Sequence, residues 1–193
     1  RYGSVLPLCA ILGVYFMASA VYPAIWAFWG MAKFGWSEGV VGLTLAAFGL
    51  ITAIFQGFVT GPAVARHGEW RVCLFGLAIA VVVAVGYGLA GSLAAVLVLL
   101  VIHGPEGFVH PMLVAMMSKA VPEDAQGELQ GGIAAVMNIA MLVGTVMFAL
   151  VFSVFMQPGA RIQTPDAAFF LAAALLLVTL ALFLRIVKRP MEA

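Results

Sequence analysis

The stretch Ile51-Thr52-Ala53-Ile54-Phe55-Gln56-Gly57-Phe58-Val59-Thr60-Gly61-Pro62-Ala63-Val64-Ala65-Arg66-His67-Gly68-Glu69-Trp70-Arg71-Val72-Cys73-Leu74-Phe75 decides the fold. An apolar block runs into six residues, Arg66 to Arg71, of which four are charged or chargeable, and a second apolar block follows at once. Both blocks extend well beyond the quoted segment, to Glu38 on one side and Ala90 on the other. Each is long enough for a helix to cross about 30 Å of hydrocarbon at 1.5 Å per residue. Gly68 permits the tight turn that two antiparallel helices need.

The rest of the chain repeats this pattern. Of 193 residues, 65% are hydrophobic and only 9% charged, against about 25% charged in an ordinary soluble domain. A water-soluble globule is excluded. The formal net charge of +1 supplies no basic field for nucleic acid. Cys9 and Cys73 lie in or beside apolar blocks and imply neither a disulfide framework nor a zinc cluster. No resident cofactor or metal is expected.

A window of about nineteen residues gives six spans in one transmembrane domain covering residues 1–193: approximately 5–30, 38–65, 72–90, 93–117, 129–155 and 167–187. The connections are short, so consecutive helices are expected to be antiparallel neighbours. Lys and Arg mark the cytoplasmic side. With the first span starting inside, that side carries Arg1, Arg66, Arg71, Lys119, Arg185, Lys188 and Arg189, and the outer loops carry Lys33 and Arg161. Both ends then face the cytoplasm.

Side-chain polarity is unevenly shared. Spans three and six hold almost nothing polar beyond Tyr87 and Thr179 and read as lipid-facing walls. Spans two and five carry Thr44, Thr52, Gln56 and Thr60, and Asn138, Thr145 and Ser153. Their Gly57-x-x-x-Gly61 and Gly127-x-x-x-Gly131 spacings permit close helix approach; packing inside this chain is an equally good account of any single glycine. Pro23 interrupts span one among Tyr15, Tyr22, Trp26 and Trp29, and Pro105 and Pro111 interrupt span four. Irregular spans at positions one and four, with walls at three and six, give an inverted three-plus-three repeat of the kind from which transporters are built.

The chemistry concentrates in His103-Gly104-Pro105-Glu106-Gly107-Phe108-Val109-His110. On an undisturbed helix His103, Glu106 and His110 fall within a sector of roughly 60°. Glu106 is the one carboxylate well inside an apolar block. A charge at that depth costs at least about 2.5 kcal/mol, so the group faces water, has a partner or is neutral. Desolvation favours the protonated carboxyl, which a proton-carrying group requires. Three readings stay open: a proton or cationic-substrate site, a structural hydrogen-bonded cluster, and a metal site. The zinc-protease spacing H-E-x-x-H and any nucleophile motif are missing from the sequence, so an enzyme is not expected. The aromatic residues of span one can line a pocket for a flat organic ligand, or simply pack.

The run Ile54 to Arg71 resembles the second-half copy of the loop signature of the major facilitator superfamily, and more narrowly the tetracycline/proton antiporter branch of drug exporters. Phe34-Gly35-Trp36-Ser37 with Val41-Gly42-Leu43, and Val121-Pro122-Glu123-Asp124-Ala125-Gln126-Gly127-Glu128-Leu129-Gln130-Gly131, carry the same likeness. The resemblance covers essentially the whole chain and matches the carboxyl-terminal half, spans seven to twelve of a twelve-span fold.

It implies an all-α membrane protein, six transmembrane helices forming one half-bundle of a major facilitator fold, in the inner membrane. The implied activity is proton-coupled efflux of an organic drug such as tetracycline, with protons and a small organic substrate as ligands. Glu106 is the candidate proton carrier with His103 and His110, while Tyr15, Trp26, Gln56 and Asn138 are candidate cavity contacts. The resemblance gives Gly61, Arg66, Gly68 and Arg71 a gating role. Val83 stands where the branch generally has an acid in the third span, Ala32-Lys33 replaces an acid and arginine, and Glu106 and His110 replace small or apolar residues; the coupling acid then moves from span three to span four. Alternating access needs a second bundle, either a missing amino-terminal half or a second copy associating through spans two and five. A self-associating chain without normal transport is the expected behaviour in isolation. The alternative is a membrane metal-binding or structural subunit using His103, Glu106 and His110.

Overall fold

The computed structural model describes residues 5–187; the charge assignments made above for Arg1, Lys188 and Arg189 lie outside them. Among the described residues the chain is helical, with eight α-helices in order. They are α1 (Val5–Ser19), α2 (Val21–Phe34), α3 (Glu38–Ile54), α4 (Thr60–Leu89), α5 (Leu93–His103), α6 (Val109–Ser118), α7 (Gln126–Met156) and α8 (Ala167–Ile186). A π-helical turn, Phe55–Val59, joins α3 to α4, and a 3₁₀ turn, Gly104–Phe108, joins α5 to α6.

These helices form five continuous stretches long and apolar enough to cross a bilayer: Val5–Phe34, Glu38–Leu89, Leu93–Ser118, Glu123–Met156 and Ala167–Ile186. The second has 52 residues, about 78 Å if straight and more than twice the hydrocarbon thickness. It is not straight. Gly68 sits at φ 75°, ψ 160°, a conformation nearly confined to glycine, and interrupts it where the sequence requires a turn.

Contacts at the segment ends fix how the pieces run. At one end, Lys33 reaches the Gly88 carbonyl and Asp166, joining the ends of α2 and α4 to the start of α8. At the other, the Trp70 indole donates to the Val187 carbonyl and Lys119 pairs with Glu69. From the end that holds Trp70 and Glu69, the residues on either side of Gly68 therefore both lead to the end that holds Lys33 and Gly88, and the stretch turns back on itself.

One expectation about faces is corrected. The nearly all-apolar segments following Gly68 and in α8 are more than outer walls. α4 packs chiefly on α8, and Cys73, Leu77, Ala80, Val83, Ala84, Ala172, Leu176, Thr179 and Phe183 are buried. A helix apolar all round has an inward face to give as well as an outward one. Gly57, Gly61, Gly127 and Gly131, by contrast, meet nothing within 4 Å of an added Cβ, so they do not bring helices together within this chain. Leu50, Ile54 and Phe58 near the former pair, and Ile139, Leu142, Val143 and Val146 beyond the latter, are exposed.

The interior divides into two apolar clusters. One holds Leu12, Tyr15, Cys73, Leu77, Leu113, Met117 and Phe183; the other holds Trp26, Trp29, Trp36, Tyr87, Phe148 and Phe169. Between them lies the polar site.

Candidate functional site

Pro105 has no N–H to return to Val101, and the chain tightens into the 3₁₀ turn Gly104–Phe108. At three residues per turn, positions i and i+3 eclipse. His103 and Glu106 are thereby stacked, with Nε2 2.7 Å from Oε2. The same tightening carries His110 off the shared sector expected of an undisturbed helix. Its half-buried ring instead meets the Phe16 ring edge-on at 5.4 Å. Gly104 makes the turn possible in another way: a Cβ there would overlap the Phe55 ring at the start of the facing π turn.

That π turn has its own cause. Pro62 cannot donate to the carbonyl of Phe58, and the ladder slips so that both the N–H and the hydroxyl of Thr60 reach the Phe55 carbonyl, the hydroxyl at 3.0 Å. Two irregular turns thus face each other at one level of the bundle. Irregular backbone at membrane depth is tolerated where protein or a cavity satisfies it, and π turns concentrate at functional sites.

Glu106 is 4% exposed, and His103 likewise. Its Oε1 accepts from the Tyr15 hydroxyl at 3.3 Å and the Ser19 hydroxyl at 3.2 Å. The Tyr22 hydroxyl is also near the carboxylate without completing a hydrogen bond. On the far side of the imidazole, His103 Nδ1 lies 3.2 Å from the Tyr87 hydroxyl. The result is a chain of protonatable groups running Tyr87, His103, Glu106, then Tyr15 and Ser19. With Glu106 ionised and His103 neutral, Nε2 carries the proton facing the carboxylate and Nδ1 accepts from Tyr87. A further proton converts Nδ1 into a donor to the Tyr87 oxygen. Every hydroxyl in the set can reverse direction, while Glu106 Oε2, 2.7 Å from His103 Nε2, completes no hydrogen bond.

Of the expected cavity contacts, Tyr15 belongs to this cluster. Trp26 lines a cavity of about 170 Å³ beside it, together with Tyr22, Pro23, Phe48, Tyr87 and His103; its indole N–H donates to Thr44 Oγ1 at 2.9 Å. Gln56 is exposed beside Gly107, and Asn138 is exposed on α7. The turn residues Gly61, Arg66, Gly68 and Arg71 stand exposed around the interruption, away from the cluster. No three metal-ligating side chains converge among the described residues, and His110 points its ring at Phe16.

Ser19 and Tyr87 join the site without having been singled out. Ser19 had a signal, because Tyr15, Ser19 and Tyr22 recur at i, i+4 and i+7 and share a helix face. Tyr87 stood out only as the polar exception in an apolar span.

The described residues form a bundle of helices long and apolar enough to cross a membrane, closed around a buried acid–imidazole pair with irregular backbone at its level. The chain belongs to the Major Facilitator Superfamily, whose family model matches residues 8–193. It is 33% identical over 151 residues to the class C tetracycline resistance protein of Escherichia coli and 37% identical over 151 residues to the class G protein of Vibrio anguillarum. Each match covers 76% of this chain and 38% of the relative. The class H protein of Pasteurella multocida is 28% identical over 145 residues, covering 74% of this chain and 36% of the relative. The chain thus spans little more than a third of the length of these relatives.

Proposed function

We propose that this bundle is one half of a proton-coupled exporter of an organic compound, tetracycline or a related molecule, with Glu106 as the proton carrier. The observation that carries the reading is the Glu106 carboxyl: deep in the bundle, 2.7 Å from an imidazole and contacted by two hydroxyls. Intramembrane carboxyls of this kind mark proton relays in transporters. The names of the relatives favour a tetracycline-type substrate over other drugs.

In this reading the chain crosses the inner membrane six times, with residues 1–193 forming a single six-helix domain built as an inverted three-plus-three repeat. Gly68 makes the reversal between the second and third crossings, and both ends are cytoplasmic. What supports six crossings is the pairing of segment ends at opposite poles of the bundle described above. A second bundle, from a longer chain or a second copy, works against the uncovered faces of α3 and α7. Gly61, Arg66, Gly68 and Arg71 form the turn that gates movement between the two. The protein is a transporter and not an enzyme, without a bound cofactor.

The test is substrate-driven proton release from the full-length protein reconstituted in vesicles. Addition of tetracycline to the wild type is expected to release protons, and Glu106→Gln is expected to abolish release while the protein still folds. Undiminished release from Glu106→Gln would remove Glu106 from its role.

A further inference from the structure

The turn at Gly68 brings the chain back beside itself, and the two arms do not close on each other. Between them runs a groove of about 380 Å³. One wall is formed by Phe55, Val59, Ala63 and His67, spaced four residues apart on the arm that leads into the turn. Arg71 and Phe75 stand on the returning arm, and Pro105 and Phe108 cross the deep end. The side chains along the groove are apolar except at the turn, where His67 and Arg71 enter its lining.

Its length matches one leaflet. Twelve residues separate Phe55 from His67, about 18 Å of helix, and half of a hydrocarbon core is about 15 Å. The groove is open sideways, with Val59 37% and Phe75 53% exposed. Its floor is closed, because Pro105 and Phe108 are buried. An apolar groove of that length, open to the side, fits an acyl chain lying along the helices.

Charge specifies the head of that chain. The turn carries Arg66, Arg71 and Glu69, and Glu69 is paired with Lys119 at 2.7 Å. The carboxylate is thus answered by a cation from another element, and the two arginines leave the turn positive. No acid lines the groove. A guanidinium matches a phosphate in shape as well as charge, and basic side chains at a membrane surface attract anionic headgroups.

We propose that the groove between the arms of the Gly68 turn holds one acyl chain of an anionic phospholipid, with the phosphate on Arg71 and His67. This rests on the reading above that the chain crosses the bilayer on both sides of Gly68. A chain seated there ends against Pro105 and Phe108, within the turn that stacks His103 on Glu106, and so braces that turn from the lipid side.

The experiment is native mass spectrometry of the full-length protein with phosphatidylglycerol and with phosphatidylcholine of identical acyl chains. Phosphatidylglycerol is expected to bind at least ~5-fold more tightly. Arg71→Gln should remove most of that preference, whereas Arg66→Gln, at the same turn but off the groove wall, should leave most of it. Val59→Trp fills the groove from an exposed position and should remove the tightly bound phosphatidylglycerol. Glycerol 3-phosphate, the headgroup anion without chains, should not displace the lipid. Equal binding of the two lipids overturns the proposal, as does an Arg66→Gln loss as large as that of Arg71→Gln. Tight binding that survives Val59→Trp, or displacement by glycerol 3-phosphate, overturns it too. Labelling of Arg66→Cys by a charged maleimide in permeabilised vesicles separates the two readings. A labelled turn alongside any of those results leaves the crossings standing without this site, and a turn shielded from the reagent overturns both.

Discussion

Two carboxylates are held inside this bundle by several donors each, and they are held differently. Asp166 Oδ1 receives Lys33 Nζ and the Trp29 indole N–H, both at 2.8 Å, and Oδ2 lies 3.3 Å from Thr164 Oγ1. Lys33 also donates to the Gly88 carbonyl at 3.1 Å and lies over the Trp29 and Phe34 rings. Glu106 is surrounded by an imidazole and hydroxyls. The first carboxylate faces an ammonium and an indole that hold their protons, and it fastens three helix ends together. The second faces only groups whose protons can be rearranged. The contrast separates a carboxylate clamped by an ammonium and an indole from one surrounded by an imidazole and hydroxyls.

The largest way to break that contrast is Glu106→Gln. The amide keeps an acceptor for Tyr15 and Ser19 but cannot carry a proton, so proton-coupled transport is expected to fall on the order of 100-fold, as for loss of a positioned proton-transfer group. Thermal stability should move little, and a large loss of both would place Glu106 among the structural charges. Next comes Asp166→Leu, which leaves Lys33 without its anion. Removing one partner of a buried pair costs about 3 to 5 kcal/mol; at 16% and 17% side-chain exposure about 2 kcal/mol is expected. Chemical denaturation in detergent measures it, Lys33→Met should restore much of it, and proton coupling should persist.

A subtler change probes the frame of the acid–imidazole pair. Gly104→Ala pushes a methyl into Phe55 and should destabilise by about 1 to 3 kcal/mol, while loosening the 3₁₀ turn that stacks His103 on Glu106. Gly61→Ala meets open space and should stay within about 0.5 kcal/mol in the isolated bundle, a difference that thermal melts would resolve. Lys119→Ala is the smallest. Its ion pair with Glu69 is 70% exposed on the lysine side, and a loss below about 0.5 kcal/mol is expected from the same melts.

Much of the architecture was legible because apolar run length and the polar break at Arg66–Arg71 depend on local composition alone. The His103–Glu106 pairing was legible too, since i and i+3 meet in either helix type. Where the reading failed, three-dimensional phase decided the outcome. His110 left the cluster because the turn at Pro105 changed the angle per residue. A different case is Asn138 and Gln56, read as cavity residues by polarity: both stand exposed in this bundle, where a second bundle would have to enclose them. The Asp166–Lys33 clasp joins residues 133 apart in sequence, a pairing that periodicity cannot reveal. The glycine spacings were recognisable, but sequence could not say whether their partners lay inside this chain.

The widened turn at Phe55–Val59 has one last consequence, for how this surface tolerates length changes. A residue added to or removed from a helix rotates everything beyond it by about 100°. Deleting one residue there would let α3 run on as an ordinary helix, but Gly68 would then turn the chain toward a different side. Trp70 could no longer reach the end of α8, nor Glu69 its lysine. The irregularity therefore sets the azimuth at which the chain comes back into the bundle.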